Sequence, residues 1–65
     1  MQILMNGSKI EVSKDMTVGQ LLRQMGYSRS VAVFQNGSQL LMMHYDDKRL
    51  AENDRIRIIR PMGGG

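Results

Sequence analysis

The sequence closes on Met62-Gly63-Gly64-Gly65, and this is where its residue types and spacing are best suited to chemistry. A glycine run has no Cβ, so its backbone is thin and open to approach from every side, and it adds nothing to a core. A carboxyl group on Gly65 is ionised at neutral pH, with a reference pKa of about 3.3–3.7. An ionised carboxylate is a poor electrophile and reacts only after activation, typically as an acyl adenylate made with ATP. Only a narrow chain can thread a channel to such a centre. Sulfide attack on the adenylate then leaves a thiocarboxylate, whose ionised sulfur is a good nucleophile. Residues 61–65 include no Lys, His, Ser or Thr, so the catalytic groups must come from another protein. The alternative for a bare glycine triplet is a frayed terminus. Against that, this triplet follows a strand-like pattern and a proline, which projects it from a fixed point.

Other candidates are weaker. Arg55, Arg57 and Arg60 cluster ahead of the tail and fit an acidic partner, a nucleic acid or merely a solvated strand face. His44 stands near Asp46 and Asp47, but one imidazole and two nearly adjacent carboxylates are too few for a metal site, and nothing places a substrate beside the pair. Of the seven methionines, Met5, Met16 and Met25 read as core filler. Tyr27 and Tyr45 have no assignable role. The chain has no cysteine, which excludes disulfides and thiol catalysis and is compatible with a cytoplasmic location. The first residues, Met1 to Gly7, lack the basic and apolar regions of a signal peptide. No stretch approaches the ~20 apolar residues of a membrane span.

The elements that must hold the tail follow from pattern. With 65 residues and a net charge of +3, the chain is one domain, and it buries only about 60% of its unfolded surface. One helix on one sheet fits; a large enclosed pocket does not, which argues against an enzyme. Asn6-Gly7 and Asn36-Gly37 are hairpin signals, because both positions must accept positive φ. They predict strands over 2–6 and 8–12, with Ile3, Met5, Ile10 and Val12 facing the core, and over 31–35 and 38–41. Thr17 with Gln20 forms a capping box, Val18, Leu21, Leu22 and Met25 share a helix face, and Gly26 is placed to end the helix. Residues 42–52 have no clean period and predict a loop anchored by Leu50. Asn53-Asp54 is a turn, residues 55–60 alternate as the last strand, and Pro61 stops it.

This order predicts an α+β fold, a mixed sheet of four to five strands with one main helix on one face. The last strand enters beside and parallel to the first, which makes a β-grasp sheet. The domain spans 1–61, and 62–65 form a flexible glycine tail. Alternation puts Leu4, Phe34 and Ile59 on the face away from the helix, ringed by Arg55, Arg57 and Lys9. We expect that face, with Arg57 and Arg60, to dock partners, since converging apolar groups on a small domain mark contact sites; scattered exposed apolar residues are the plainer reading.

The closing segment from Asp54 to Gly65 resembles the end of the ThiS family of ubiquitin-like sulfur carriers: an acidic turn, an alternating strand, Arg60-Pro61, two linking residues and Gly64-Gly65. Met1-Gln2-Ile3-Leu4-Met5-Asn6-Gly7, Thr17-Val18-x-x-Leu21-Leu22 and Val31-Ala32-Val33-x-x-Asn36-Gly37 are similar to it as well. The resemblance implies that Gly65 is adenylylated by a ThiF-like adenylyltransferase and converted to a thiocarboxylate with a cysteine-derived sulfur donor. The sulfur then passes to a ThiG-like thiazole synthase for the thiazole of thiamine. Met62, Gly63, Gly64 and Gly65 would be presented to the partner's active site. The chain would bind no cofactor and catalyse no reaction, ATP being used by the activating partner. Residues 42–49 lack the Pro-Arg stretch of the family, and Asn53 replaces its usual glycine.

Three other functions fit the same residues. A MoaD-like small subunit of molybdopterin synthase, partnered by a MoaE-like subunit, has the same fold and ending. A ubiquitin-like modifier joined to lysines needs the same activation. A basic RNA-binding β-grasp module belongs to a different class, and with Phe34 the single aromatic on the open face its stacking capacity is low.

Overall fold

The computed structural model describes residues 1–60. Strands β1 (Gln2–Met5) and β2 (Ser8–Glu11) form one hairpin, and β3 (Ala32–Gln35) and β4 (Ser38–Leu40) form another. Helix α1 (Val18–Met25) links the hairpins, a 3₁₀ turn occupies Met42–His44, and β5 (Arg55–Ile59) comes last. The sheet order is β2-β1-β5-β3-β4. β5 runs parallel to β1 and antiparallel to β3. The late strand therefore fills the gap between the two hairpins, and the mixed β-grasp sheet expected with four to five strands is present with five.

Both hairpins turn where Asn-Gly stands. Asn6 and Gly7 have φ of 49° and 86°, and Asn36 and Gly37 have 52° and 89°. Two successive positive φ angles give the turn whose twist matches that of the flanking strands. Registers Met5↔Ser8 and Gln35↔Ser38 follow directly.

An eight-residue helix is not stable alone in water, so its ends and its packing explain it. Thr17 Oγ1 accepts from the Gln20 amide while Gln20 Oε1 accepts from the Thr17 amide, closing the capping box. The next two free amides find carbonyls in the aperiodic loop: Val18 N–H donates to Lys48 O (2.9 Å) and Gly19 N–H to Tyr45 O (2.7 Å). The loop is ordered because it completes the helix terminus. At the other end, Gly26 is left-handed, with its N–H on Arg23 O, and Tyr27 N–H reaches Leu22 O (2.9 Å). These two bonds are a Schellman motif.

The core lies between α1 and one sheet face and holds Ile3, Met5, Val18, Leu21, Leu22, Val33, Ile56 and Ile58, with Val12, Met16 and Leu50 closing its rim. Ile10, on an edge strand, is half-buried. Met25 departs from expectation and is 40% exposed. The Schellman turn brings Tyr27 back against the core, and Met25, the last helical residue, is left outside. Tyr45, which the sequence could not place, is fully buried and donates its hydroxyl to Val31 O at 2.7 Å.

Candidate functional site

Strand alternation divides β5 between two faces. Ile56 and Ile58 are buried under the helix, whereas Arg55, Arg57 and Ile59 point outward. Pairing supplies their neighbours on the outer face. Leu4 lies opposite Arg55 on one side and Lys9 on the other, Phe34 lies opposite Arg57, and Ala32 opposite Ile59. The structure thus brings together the predicted residues Leu4, Phe34, Ile59 and Arg57 on a shallow, open groove. Leu4 and Phe34 are half-buried, and Ile59 is 42% exposed. Among the described residues, the ion pairs involve Arg23, Arg29, Arg49, His44 and the N-terminus, and none involves Lys9, Arg55 or Arg57. The outer face is therefore apolar at its centre and cationic around it.

Arg60 makes a contact that the sequence did not foresee. It stands at the end of the groove, but its guanidinium lies over the Tyr27 ring, 4.8 Å from the centroid. Its parity on β5 is that of Ile56 and Ile58, so it turns toward the helix side. It ties the strand end to the segment after α1 while bordering the groove.

Two turn asparagines grip β5. Asn36 accepts from Arg55 N–H at 2.8 Å and donates to Asp54 Oδ1 at 3.0 Å. Asn6 accepts from Ile58 N–H at 2.8 Å and donates to Ile58 O at 3.4 Å. Sequence reasoning marked both only as turn formers; their grip on a strand some fifty and twenty residues away carries no local signal. Asp54, 7% exposed, completes the start of β5 by accepting from Gln35 Nε2, Asn36 Nδ2 and the Ala51 amide. Burial pushes its carboxyl pKa up, but those hydrogen bonds and the Lys48 charge outweigh it and hold the pKa below the ordinary 3.8.

The His44–Asp46–Asp47 cluster does not assemble. Asp46 pairs with Arg29 (2.8 Å) and Arg23 (3.8 Å), while His44 Nδ1 lies 3.8 Å from Asp47. No group of three metal-ligating side chains is found among the described residues. No described helix is long and apolar enough to cross a membrane. Met62, Gly63, Gly64 and Gly65, the predicted tail, and the boundary at 61/62 lie outside the described residues.

The model of the ThiS family matches residues 2–65. No curated protein matches the sequence significantly. Among solved structures, the crystal structure of the thiamine biosynthesis protein ThiS from Geobacter metallireducens superposes with a TM-score of 0.86 at 26% identity, covering 100% of both chains. The solution structure of a thiamine biosynthesis protein from the same organism gives 0.80 at 26% identity, covering 100% of this chain and 88% of that one. SAMP1 from Haloferax volcanii shares the fold, with a TM-score of 0.62 at 17% identity over 98% and 97% of the two chains.

Proposed function

The chain belongs to the ThiS family, the sulfur carriers of thiamine biosynthesis, and from that premise we propose that it carries sulfur as a thiocarboxylate on Gly65. The reading rests chiefly on one observation: the family match runs through residue 65 and so includes Gly63-Gly64-Gly65. The glycines suit a segment that must enter a partner's channel with its backbone bare on all sides.

The chemistry proceeds in two displacements. A carboxylate oxygen of Gly65 attacks the α-phosphorus of ATP on a ThiF-like partner, and pyrophosphate leaves. A sulfur nucleophile then attacks the acyl carbon, and AMP departs with the oxygen. With hydrosulfide as nucleophile the product is the thiocarboxylate directly. Its sulfur, ionised at neutral pH, attacks the acceptor on a ThiG-like thiazole synthase. This chain contributes the acyl group, the arm and the docking face; Leu4, Phe34, Ile59 and Arg57 engage the partner while Met62 to Gly65 enter its active site. Arg60 serves the arm's root.

Intact-mass measurement tests the proposal. Incubation with a ThiF-like enzyme, ATP and sulfide is expected to add the difference between one sulfur and one oxygen atom, with fragmentation placing it on Gly65. A chain lacking Gly64 and Gly65 is expected to show no gain while melting at the same temperature. An unchanged mass in the intact chain, with a known carrier converted in parallel, overturns the proposal.

A further inference from the structure

The exit of the chain from β5 is not held by the sheet ladder alone. β1 pairs with β5 only at Leu4↔Arg55 and Met5↔Ile56. The last backbone rung on that side is Asn6 N–H to Ile56 O, at 2.8 Å. At Asn6 the chain turns into the hairpin with φ of 49°, and β1 has no further peptide to offer. β5 continues for three more strand residues. Its next backbone groups on that edge, the N–H and C=O of Ile58, meet the side-chain amide of Asn6 instead. The carboxamide offers a carbonyl acceptor and an N–H donor side by side, as a peptide group does, with one further N–H to spare. It stands in for the strand residue that the turn has removed.

A second contact acts two residues further along, from the helix side. Arg60 is stacked on Tyr27, and Tyr27 is fixed by the Schellman turn and by its packing against the core. Such a stack over an aromatic face is attractive through the ring quadrupole. Ile58 is thus held in the sheet plane, and Arg60 is held against the helix terminus.

We propose that Asn6, seconded by Tyr27, is a positioning residue that sets the direction in which the chain leaves β5 toward Gly65. The inference rests on the carrier reading above. A carrier docked through its outer face delivers its acyl group only if the arm starts on the correct bearing. An error of about 1 Å at a reacting centre costs on the order of 100-fold in rate.

Asn36 provides an internal control. It makes the equivalent bond at the other end of the same strand, accepting from Arg55 N–H at 2.8 Å, and it occupies the equivalent turn position with φ of 52°. Asn6→Gly and Asn36→Gly each tolerate positive φ and each delete one such amide. Both lose the bond to a β5 amide, and Asn36→Gly loses its bond to Asp54 as well, so it is the harsher control for stability; only Asn6→Gly touches the exit.

The test compares the two variants by amide hydrogen exchange and by thiocarboxylate formation with a ThiF-like enzyme, ATP and sulfide. In Asn6→Gly, the Ile58 amide is expected to exchange about 10-fold faster or more, with the core amides of Ile3 and Val33 reporting that the fold persists. Its kcat is expected to fall about 10-fold at little changed KM, because docking is intact and only delivery fails. Asn36→Gly is expected to keep kcat within about twofold. Tyr27→Leu, which removes the ring, is expected to lower kcat in the same manner as Asn6→Gly. Equal kcat losses in the two asparagine variants, or an unaltered kcat in Asn6→Gly, overturn the inference. So does an unaltered Ile58 exchange rate. A wild-type chain that gains no sulfur overturns the carrier reading itself, and the positioning role with it.

Discussion

Asp54 fastens the start of β5 through its carboxylate. Its carboxylate accepts three hydrogen bonds, from two side chains of the β3–β4 hairpin and from the Ala51 amide. It therefore joins the loop before β5 to the hairpin beside it. Its folded pKa lies below the ordinary 3.8, so the ionised form is favoured by folding. The stabilisation is complete above the ordinary value and is lost as the pH falls through the lower folded one. Asp54→Asn offers one carbonyl oxygen and sets an NH₂ against a donor. It is expected to cost about 2 kcal/mol at pH 7, and that deficit should shrink in urea titrations repeated near pH 3. A deficit that stays constant with pH would mean that ionisation is irrelevant. The neighbouring Asn53 has φ of 68°, a conformation that glycine adopts freely and asparagine tolerates. Asparagine is therefore acceptable where the resemblance led us to expect glycine.

At the scale of elements, α1 shows how a short helix depends on its surroundings. Its N-terminal amides are satisfied half by its own capping box and half by carbonyls of the 45–48 loop. The close approach of that loop leaves no room for a side chain at position 19. A Cβ on Gly19 would strike Asp46 Oδ1 and come within 3.2 Å of Tyr45 O. Asp46 can swing aside, at the expense of its pairing with Arg29, but the Tyr45 carbonyl is backbone and already holds the Gly19 amide. Helix propensity favours Ala over Gly by about 1 kcal/mol; overpacking typically costs about 1–3. Gly19→Ala is therefore expected to destabilise the domain by about 1 kcal/mol in chemical denaturation. A stabilised variant would show that the loop yields more easily than its hydrogen bonds suggest.

Taken as a whole, the molecule has two unlike sheet faces, one sealed by the helix and one open. The open face carries Leu4, Phe34 and Ile59 among Lys9, Arg55 and Arg57, and the chain's net charge is +3. A central apolar contact with a cationic surround favours an acidic partner and speeds its approach. Ile59→Asp places a carboxylate on an already exposed position. It is expected to weaken binding to the activating enzyme about 10-fold or more with no change in melting temperature. Wild-type association is expected to slow as salt rises and screening shortens. Affinity indifferent to both changes would move the interface elsewhere.

Local chemistry fixed much of this protein in advance. Positive-φ turns at Asn6-Gly7 and Asn36-Gly37, the capping box of Thr17 and Gln20 and the terminator Gly26 are contacts between near neighbours, so residue order alone determines them. Alternation likewise assigned Leu4, Phe34, Arg57 and Ile59 to one face, because side chains on a strand change sides at every residue. Tertiary structure decided what depends on distant partners. Tyr45 became a core residue, Arg60 turned to Tyr27, and Asn6 reached across to Ile58. Each of these follows from where another element, remote in sequence, comes to rest, and no local period encodes that meeting.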